Sequence, residues 1–217
     1  MRRYLGMVVL LFLAGGLHAQ GWVQRADIQG DVTDILVAAW NGSTGHIFAA
    51  TNGSGVYYST DGICWQTRSN GLTDLQVTAI AARWENTGSA FQGRLMAATV
   101  SGKVFLSNNY GTNWYPASLG LNLIQDSFIP TDLSVVWDQA HGTYYTYMST
   151  LGAGMLRQTG WGTTAQWAAY NSSVVSANNK YLLCVAALTQ GTTTGAKHRI
   201  IARSEEHTSE LQSRQSI

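Results

Sequence analysis

Charge is what this 217-residue chain has least of: 12% of its residues are Asp, Glu, Lys or Arg, against the ~25% usual for soluble domains. Between Gln20 and Ala202 nine Lys/Arg balance nine Asp/Glu. No basic stripe is present to hold a phosphate backbone, which excludes a nucleic-acid partner, and no like-charge run marks a solvating tail. Proline is nearly absent, with only Pro116 and Pro130, so the turns fall to 23 glycines. Two cysteines, Cys64 and Cys184, are too few for a disulfide framework; the default for such a pair is buried free thiols. After the N-terminal segment, no stretch keeps apolar residues at i, i+3, i+4 and i+7 over several turns, which excludes a helical architecture. Neither a Gly-x-Ser-x-Gly elbow nor a phosphate-cradling Gly-x-x-x-x-Gly-Lys segment occurs.

What the chain does contain is repetition. His46–Gln66 (HIFAATNGSGVYYSTDGICWQ) and Leu95–Tyr115 (LMAATVSGKVFLSNNYGTNWY) share an order: apolar strand, Ala-Ala-Thr, glycine turn, second apolar strand, Ser-x-Asp/Asn, Gly and Trp. Four copies of a preceding strand align with them: Val32–Trp40, Val77–Trp84, Leu133–Trp137 and Leu182–Leu188. The steps from Trp40 to Trp84 to Trp137 to Leu188 are 44, 53 and 51 residues, the ~40–50-residue period of a four-stranded blade. These strands are almost continuously apolar or small, as strands covered on both faces are. Second strands are expected at Ile47–Thr51, Leu95–Thr99 and Tyr144–Thr150, third strands at Val56–Ser59, Val104–Ser107 and Met155–Gln158, and fourth strands from Trp65, Trp114 and Trp167. Arg199–Ala202 lines up with Arg94–Ala97, inside the second strand of a fourth unit.

Ser107-Asn108-Asn109-Tyr110-Gly111-Thr112-Asn113-Trp114 resembles the Asp-box, the Ser-x-Asp-x-Gly-x-x-Trp hairpin of sialidase-like, sortilin-like and xyloglucanase-like β-propellers, with Asn109 in the aspartate place. Ser59, Asp61, Gly62 and Trp65 form a version one residue shorter. The resemblance implies an all-β propeller of four-stranded blades, three whole and part of a fourth, set in an open arc. It also implies structural roles for Ser59, Asp61, Gly62, Trp65, Ser107, Asn109, Gly111 and Trp114. Physics agrees: a short Asp or Asn side chain accepts turn amides, and Trp buries a large amphipathic surface.

The two ends read differently from the middle. Residues 1–19 have Arg2 and Arg3, an apolar run from Met7 to Ala14 and small residues before Ala19. That is the pattern of a secretory signal peptide, with a core shorter than the ~20 residues of a membrane span. Its Ala-Gln junction resembles leaders of Bacteroidetes-type bacteria, so export to a periplasmic, cell-surface or extracellular place is expected. Residues 203–217 begin with Arg-Ser-Glu-Glu-His-Thr, abruptly acidic, and resemble one reading frame of a sequencing-library adapter. They are expected not to pack on the blades, leaving residues 20–202 as the partial propeller.

Three functions are compatible with such a chain. It is first read as a non-catalytic exported module binding a protein or a carbohydrate, or as a surface module of a larger protein whose remaining blades are its partners. The alternative is a glycoside hydrolase, which needs two carboxyl groups flanking the scissile bond. Sialidase chemistry is disfavoured, because no Arg-Ile-Pro-like segment or arginine cluster exists to read a substrate carboxylate. For an endoglucanase the acids belong at the ends where the inner strands begin, in Ala26–Asp34, Arg68–Val77 and Ala117–Leu133. These hold Asp31, Asp34, Asp74, Asp126 and Asp132. Asp34 and Asp132 take comparable places beside an inner strand and are the named acid/base pair. His46, His141 and His198 lack ligand spacing and carboxylate partners, so no metal and no cofactor is expected.

Overall fold

The computed structural model describes residues 27–40, 45–83, 92–170, 180–190, 197–204 and 211–214. The leader at 1–19 and Trp84 lie outside them. Blade one is β1 (Asp31–Trp40), β2 (Gly45–Asn52), β3 (Gly55–Ser59) and β4 (Gln66–Thr67). Blade two is β5 (Val77–Ala82), β6 (Leu95–Thr99), β7 (Val104–Ser107) and β8 (Tyr115–Pro116). Blade three is β9 (Ile129–Asp138), β10 (Thr143–Leu151), β11 (Met155–Thr159) and β12 (Trp167–Ala169). The fourth sheet has three strands, β13 (Leu182–Gln190), β14 (Lys197–Ser204) and β15 (Leu211–Arg214). Every pairing is antiparallel between consecutive strands. Among the described residues the only helical piece is one 3-10 turn at Leu121–Leu123.

The inner strands stack in order, β1 against β5, β5 against β9 and β9 against β13. Three apolar layers fill the gaps. Ala38 and Phe48 of blade one meet Ile80, Ala82 and Trp114 of blade two. Ala79, Ala81 and Met96 of blade two meet Leu133, Met148 and Trp167 of blade three. Val136 and Tyr147 of blade three meet Val185, Ala187 and Ile200 of the fourth sheet. No such packing joins β1 to β13 among the described residues, so the array is an open β-propeller arc.

In blades two and three the tryptophan before the fourth strand, Trp114 or Trp167, seats on the link from the blade before. Trp114 donates from its indole Nε1 to the Arg68 carbonyl at 2.7 Å and from its amide to the Asn70 carbonyl. Trp167 does the same with Ala117, at 2.9 Å, and Leu119. The link must pass close beneath the tryptophan backbone. A Cβ at Gly71 would lie 2.3 Å from the Trp114 oxygen, and one at Gly120 would lie 2.5 Å from that of Trp167. Both glycines also have positive φ, which only glycine adopts without strain.

Three expectations need correction. Residues 203–217 do not stand wholly apart: Arg203 and Ser204 continue β14, and Leu211–Arg214 pairs with it. Ser204, opposite Leu182, takes the register place of Thr51, Thr99 and Thr150, which lie opposite Val32, Val77 and Pro130. Backbone pairing needs only an extended strand beside an unpaired edge, so foreign composition does not prevent it. Cys64 and Cys184 are free but exposed, not buried. Cys64 sits in a solvent-facing hairpin and Cys184 on β13, where no other described strand covers it. His141 does have a carboxylate partner, since its Nδ1 lies 2.7 Å from Asp138 Oδ2 across one tight turn.

Candidate functional site

The end of the arc where the inner strands begin also carries the β2–β3, β6–β7 and β10–β11 hairpins, because each inner strand starts opposite the end of its neighbour. There the register slips by one residue in all four blades, between Val32 and Asp34, Val77 and Ala79, Pro130 and Asp132, and Leu182 and Cys184. The extra residues are Thr33, Thr78, Thr131 and Leu183. A bulge of this kind re-aims the side chains that flank it.

In blades one and three the bulge aims a threonine and an aspartate at the next blade. Thr33 Oγ1 donates to the Val77 carbonyl at 2.7 Å, and Asp34 Oδ2 accepts from the Ile80 amide at 2.9 Å. Thr131 Oγ1 donates to the Leu182 carbonyl at 2.7 Å, and Asp132 Oδ2 accepts from the Val185 amide at 3.0 Å. Asp132 Oδ1 accepts in addition from its neighbour's amide, Leu133, at 2.8 Å. The sequence-derived pair therefore occupies equivalent places, within strands rather than loops, and each carboxylate spends oxygen lone pairs on backbone amides. Burial pushes both carboxyls above the ordinary aspartate value, against the lowering effect of those amides. The Asp34 charge adds a smaller raising effect at Asp132. Blade two has Ala79 at this place and the fourth sheet has Cys184, so neither can reach forward in the same way.

The other acids are spread out. Asp74 accepts from the Gln76 amide and from Ser101 Oγ. Asp126 pairs with Lys180 at 2.7 Å on the surface. Asp31 is exposed at the start of β1. Beside Asp126, an open pocket of about 350 Å³ is lined by Ser101, Gly102, Leu121, Asn122, Ser127 and Phe128. It lies between the blade-two hairpin and the link into blade three. Asp126 is its single carboxylate, and neither Asp34 nor Asp132 lines it.

The two Ser-x-Asp/Asn hairpins are built alike. Ser59 Oγ donates to Asp61 Oδ1 at 2.9 Å and accepts from the Gly62 amide, while the same Asp61 oxygen accepts from the Ile63 and Cys64 amides. Those amides hold the Asp61 carboxyl below its ordinary value. Ser107 Oγ donates to Asn109 Oδ1 at 3.0 Å and accepts from the Gly111 amide, and Asn109 Oδ1 accepts from Asn113. The extra residue of this second hairpin is Tyr110, held at φ 58°. In blade three Gln158 replaces the serine and reaches the Ala165 carbonyl instead. Both hairpins lie at the end of the arc opposite the pocket, since each follows a third strand running away from it.

Sequence reasoning passed over two further residues. Ser69 Oγ accepts from the Val56 amide at 2.9 Å and Ser118 Oγ from the Val104 amide at 2.8 Å, tying each link to its own third strand. The signal was a second repeated word, Ser-x-Gly-Leu, at Ser69–Leu72 and Ser118–Leu121. Among the described residues no group of three or more His, Cys, Asp or Glu is placed to hold a metal ion. No described helix is long and apolar enough to cross a membrane.

No protein-family model and no curated protein matches this sequence. Among solved structures the chain is similar to YCF48 from Cyanidioschyzon merolae, at 13% identity and a TM-score of 0.30, over 85% of this chain and 71% of that one.

Proposed function

We propose that this chain is an exported, Asp-box-type β-propeller module that binds a protein or glycan ligand through the loops at the pocket end of the arc and does no chemistry on it. The observation that carries this reading is how the carboxylates are used. Glycoside hydrolysis needs an acid and a base free to face one bond. Asp34 and Asp132 instead accept the amides of Ile80 and Val185, and the pocket holds one carboxylate, which pairs with Lys180. The pocket's mixture of Phe128 and Leu121 with Ser101, Ser127 and Asn122 offers an apolar platform beside neutral hydrogen-bonding groups, a pairing that suits a sugar ring or a polar peptide turn. Export is supported by the basic-then-apolar start of the sequence.

The test is a glycan array and a peptide library probed with the purified protein, alongside turnover assays on β-glucans, xyloglucan and sialosides. The reading expects binding that Phe128→Ala abolishes, with no turnover. Turnover lost in Asp34→Asn or Asp132→Asn would replace it with the hydrolase reading.

A further inference from the structure

The pocket lies at the joint between blades two and three, and comparison of the repeats shows why space is left there. Blades one and three, which pair with the following blade through Thr-Asp, also clamp the link that follows them. The Gly53 and Gly55 amides of the blade-one hairpin donate to the Leu75 carbonyl, at 3.0 and 2.9 Å. The Gly152 and Gly154 amides of the blade-three hairpin donate to the Lys180 carbonyl, at 2.8 and 3.1 Å. Asn52 and Leu151 then bridge to the next residue of each link, Gln76 and Tyr181. By register the blade-two counterparts would be amides of the Ser101–Lys103 hairpin on the Phe128 carbonyl and a bridge from Val100 to Ile129. Among the described residues neither tie is formed. Ser101 instead turns back, with its hydroxyl and amide on Asp74 Oδ2 of the preceding link at 2.5 and 3.4 Å. The link ahead is also longer, running from Gly120 to Ile129 where its counterpart runs from Gly71 to Gln76.

The lining of this gap is matched to one kind of molecule. Its volume, about 350 Å³, is at the small end of the ~300–1,000 Å³ of ligand sites and suits one ring rather than a folded peptide. Leu121 and the half-buried Phe128 give it an apolar wall. Gly102 packs on the Phe128 ring, where a Cβ would stand 3.5 Å from Cε2 and Cζ. The polar groups set acceptors beside donors. Asp126 Oδ2 lies 2.7 Å from Lys180 Nζ, and the two side chains are 48% and 46% exposed. Such a solvated pair adds little to stability, but it offers an incoming hydroxyl both an acceptor and a donor. Asn122 carries the same two functions on one amide. Ser101 donates its hydrogen to Asp74, so toward the gap its oxygen can only accept. The charges of Asp126 and Lys180 cancel, and no other charged residue lines the gap.

We propose that this gap binds one neutral pyranose residue with two adjacent free hydroxyls, its ring stacked on Phe128 and those hydroxyls held by Asp126 and Lys180. The inference rests on the reading of the chain as a ligand-binding module, and names the ligand class and the residues that select it. A sugar ring presents an apolar C–H face to the phenyl ring, and each hydroxyl is at once donor and acceptor, which the Asp126–Lys180 pair answers. A peptide turn is the poorer match, because its backbone groups are each donor or acceptor alone and its side chains need more room. An acidic sugar would set its carboxylate against Asp126, with the one lysine already paired. The pocket opens to solvent, so the bound residue can belong to a longer glycan.

The test is a ligand-observed NMR titration of the purified protein with the methyl glycosides of glucose, galactose and mannose, with glucuronic acid, and with a library of polar turn peptides. At least one methyl glycoside should bind. Its analogue lacking one hydroxyl of the vicinal pair should bind roughly tenfold or more weakly, the contribution of one hydrogen bond to a charged group. Asp126→Ala and Lys180→Ala should each weaken binding by a similar factor and leave the melting temperature unchanged, since both side chains are half in solvent. Saturation transferred from the wild-type protein should be strongest at the ring C–H protons, a readout that no variant's folding can spoil. Peptide binding lost in Phe128→Ala, with no sugar bound, overturns this inference and leaves the module reading standing. Absence of binding by sugars and peptides alike removes both. Glucuronic acid bound more tightly than the neutral glycosides, or sugar binding indifferent to Asp126 and Lys180, also overturns the inference.

Discussion

The contact between blades one and two and the contact between blades two and three use the same strands in the same order, yet they are held differently. The first has a threonine and an aspartate crossing the gap to a carbonyl and an amide of β5. The second has Ala79 and Ala81 under Leu133 and Val135, with Met96, Met148 and Trp167 around them. The contact between blade three and the fourth sheet returns to the first style, and adds Ser134 Oγ accepting the Ala187 amide at 2.9 Å. Between these two inner strands the contact is apolar, and its polar ties lie further out, where Trp167 Nε1 donates to the Ala117 carbonyl and Trp161 Nε1 to Asn108 Oδ1. What the polar crossing adds is register: a hydrogen bond to one named amide fixes how far one inner strand sits along the next, which a smooth layer of methyl groups does not.

The largest effect expected from breaking this contrast is Ala79→Asp. Thr78 already precedes it, so the substitution writes the Thr-Asp pair into blade two. The amide it would need, Leu133, is already bonded to Asp132, and Ala79 is 1% exposed. An uncompensated buried carboxylate costs about 3–5 kcal/mol, so this variant should melt far below the wild type. A stabilised Ala79→Asp would mean that the pairing of blades has no physical basis.

Next comes Leu133→Ala, which empties the apolar contact and should cost about 2–5 kcal/mol. Urea unfolding measures it. The sharper observation is where unfolding begins, since loss at this layer should release blades three and four together from blades one and two.

The smallest effect is a slope with pH. Burial raises the Asp34 and Asp132 carboxyls in the folded state, so the folded protein holds these protons more tightly than the unfolded chain does. Their contribution is present below the ordinary aspartate value and is lost as pH rises through the raised one. Asp61 runs the other way: its carboxyl is lowered by the Cys64 and Ile63 amides, and its contribution is present above the ordinary value and lost on acidification. Asp132→Asn keeps an acceptor but no charge. Relative to wild type it should gain stability as pH rises from 4 to 7, while Asp61→Asn should lose it mainly as pH rises to 4 from below, as thermal melts from acid to neutral pH would register.

Most of the strand order was legible in the sequence because blades repeat. The reading of Trp65, Trp114 and Trp167 as the places where fourth strands start agrees with β4, β8 and β12 to within one residue. The third inner strand was read too short, as Leu133–Trp137 against Ile129–Asp138. Pro130, Thr131 and Asp132 look like a loop in isolation, and their strand character depends on partners about 50 residues away in Leu182 and Val185. For the same reason Asp34 and Asp132 were recognisable as equivalent but not as crossing ties, since periodicity along one strand does not reveal what the next blade offers. The exposed thiols escaped for a complementary reason. Whether Cys184 is covered depends on what sits against the end of the arc, which no local pattern encodes.

The central claim is that Asp34 and Asp132 each hold one amide of the following blade. Residue-resolved amide hydrogen exchange on Asp34→Ala and Asp132→Ala tests it directly. Losing the acceptor leaves a half-buried N–H unsatisfied at a cost of about 1–3 kcal/mol, which corresponds to roughly five- to 150-fold faster exchange if that amide opens locally. The account predicts that Asp34→Ala speeds Ile80 and spares Val185, and that Asp132→Ala speeds Val185 and spares Ile80. Exchange unchanged at both amides, or accelerated at both by either substitution, would contradict it.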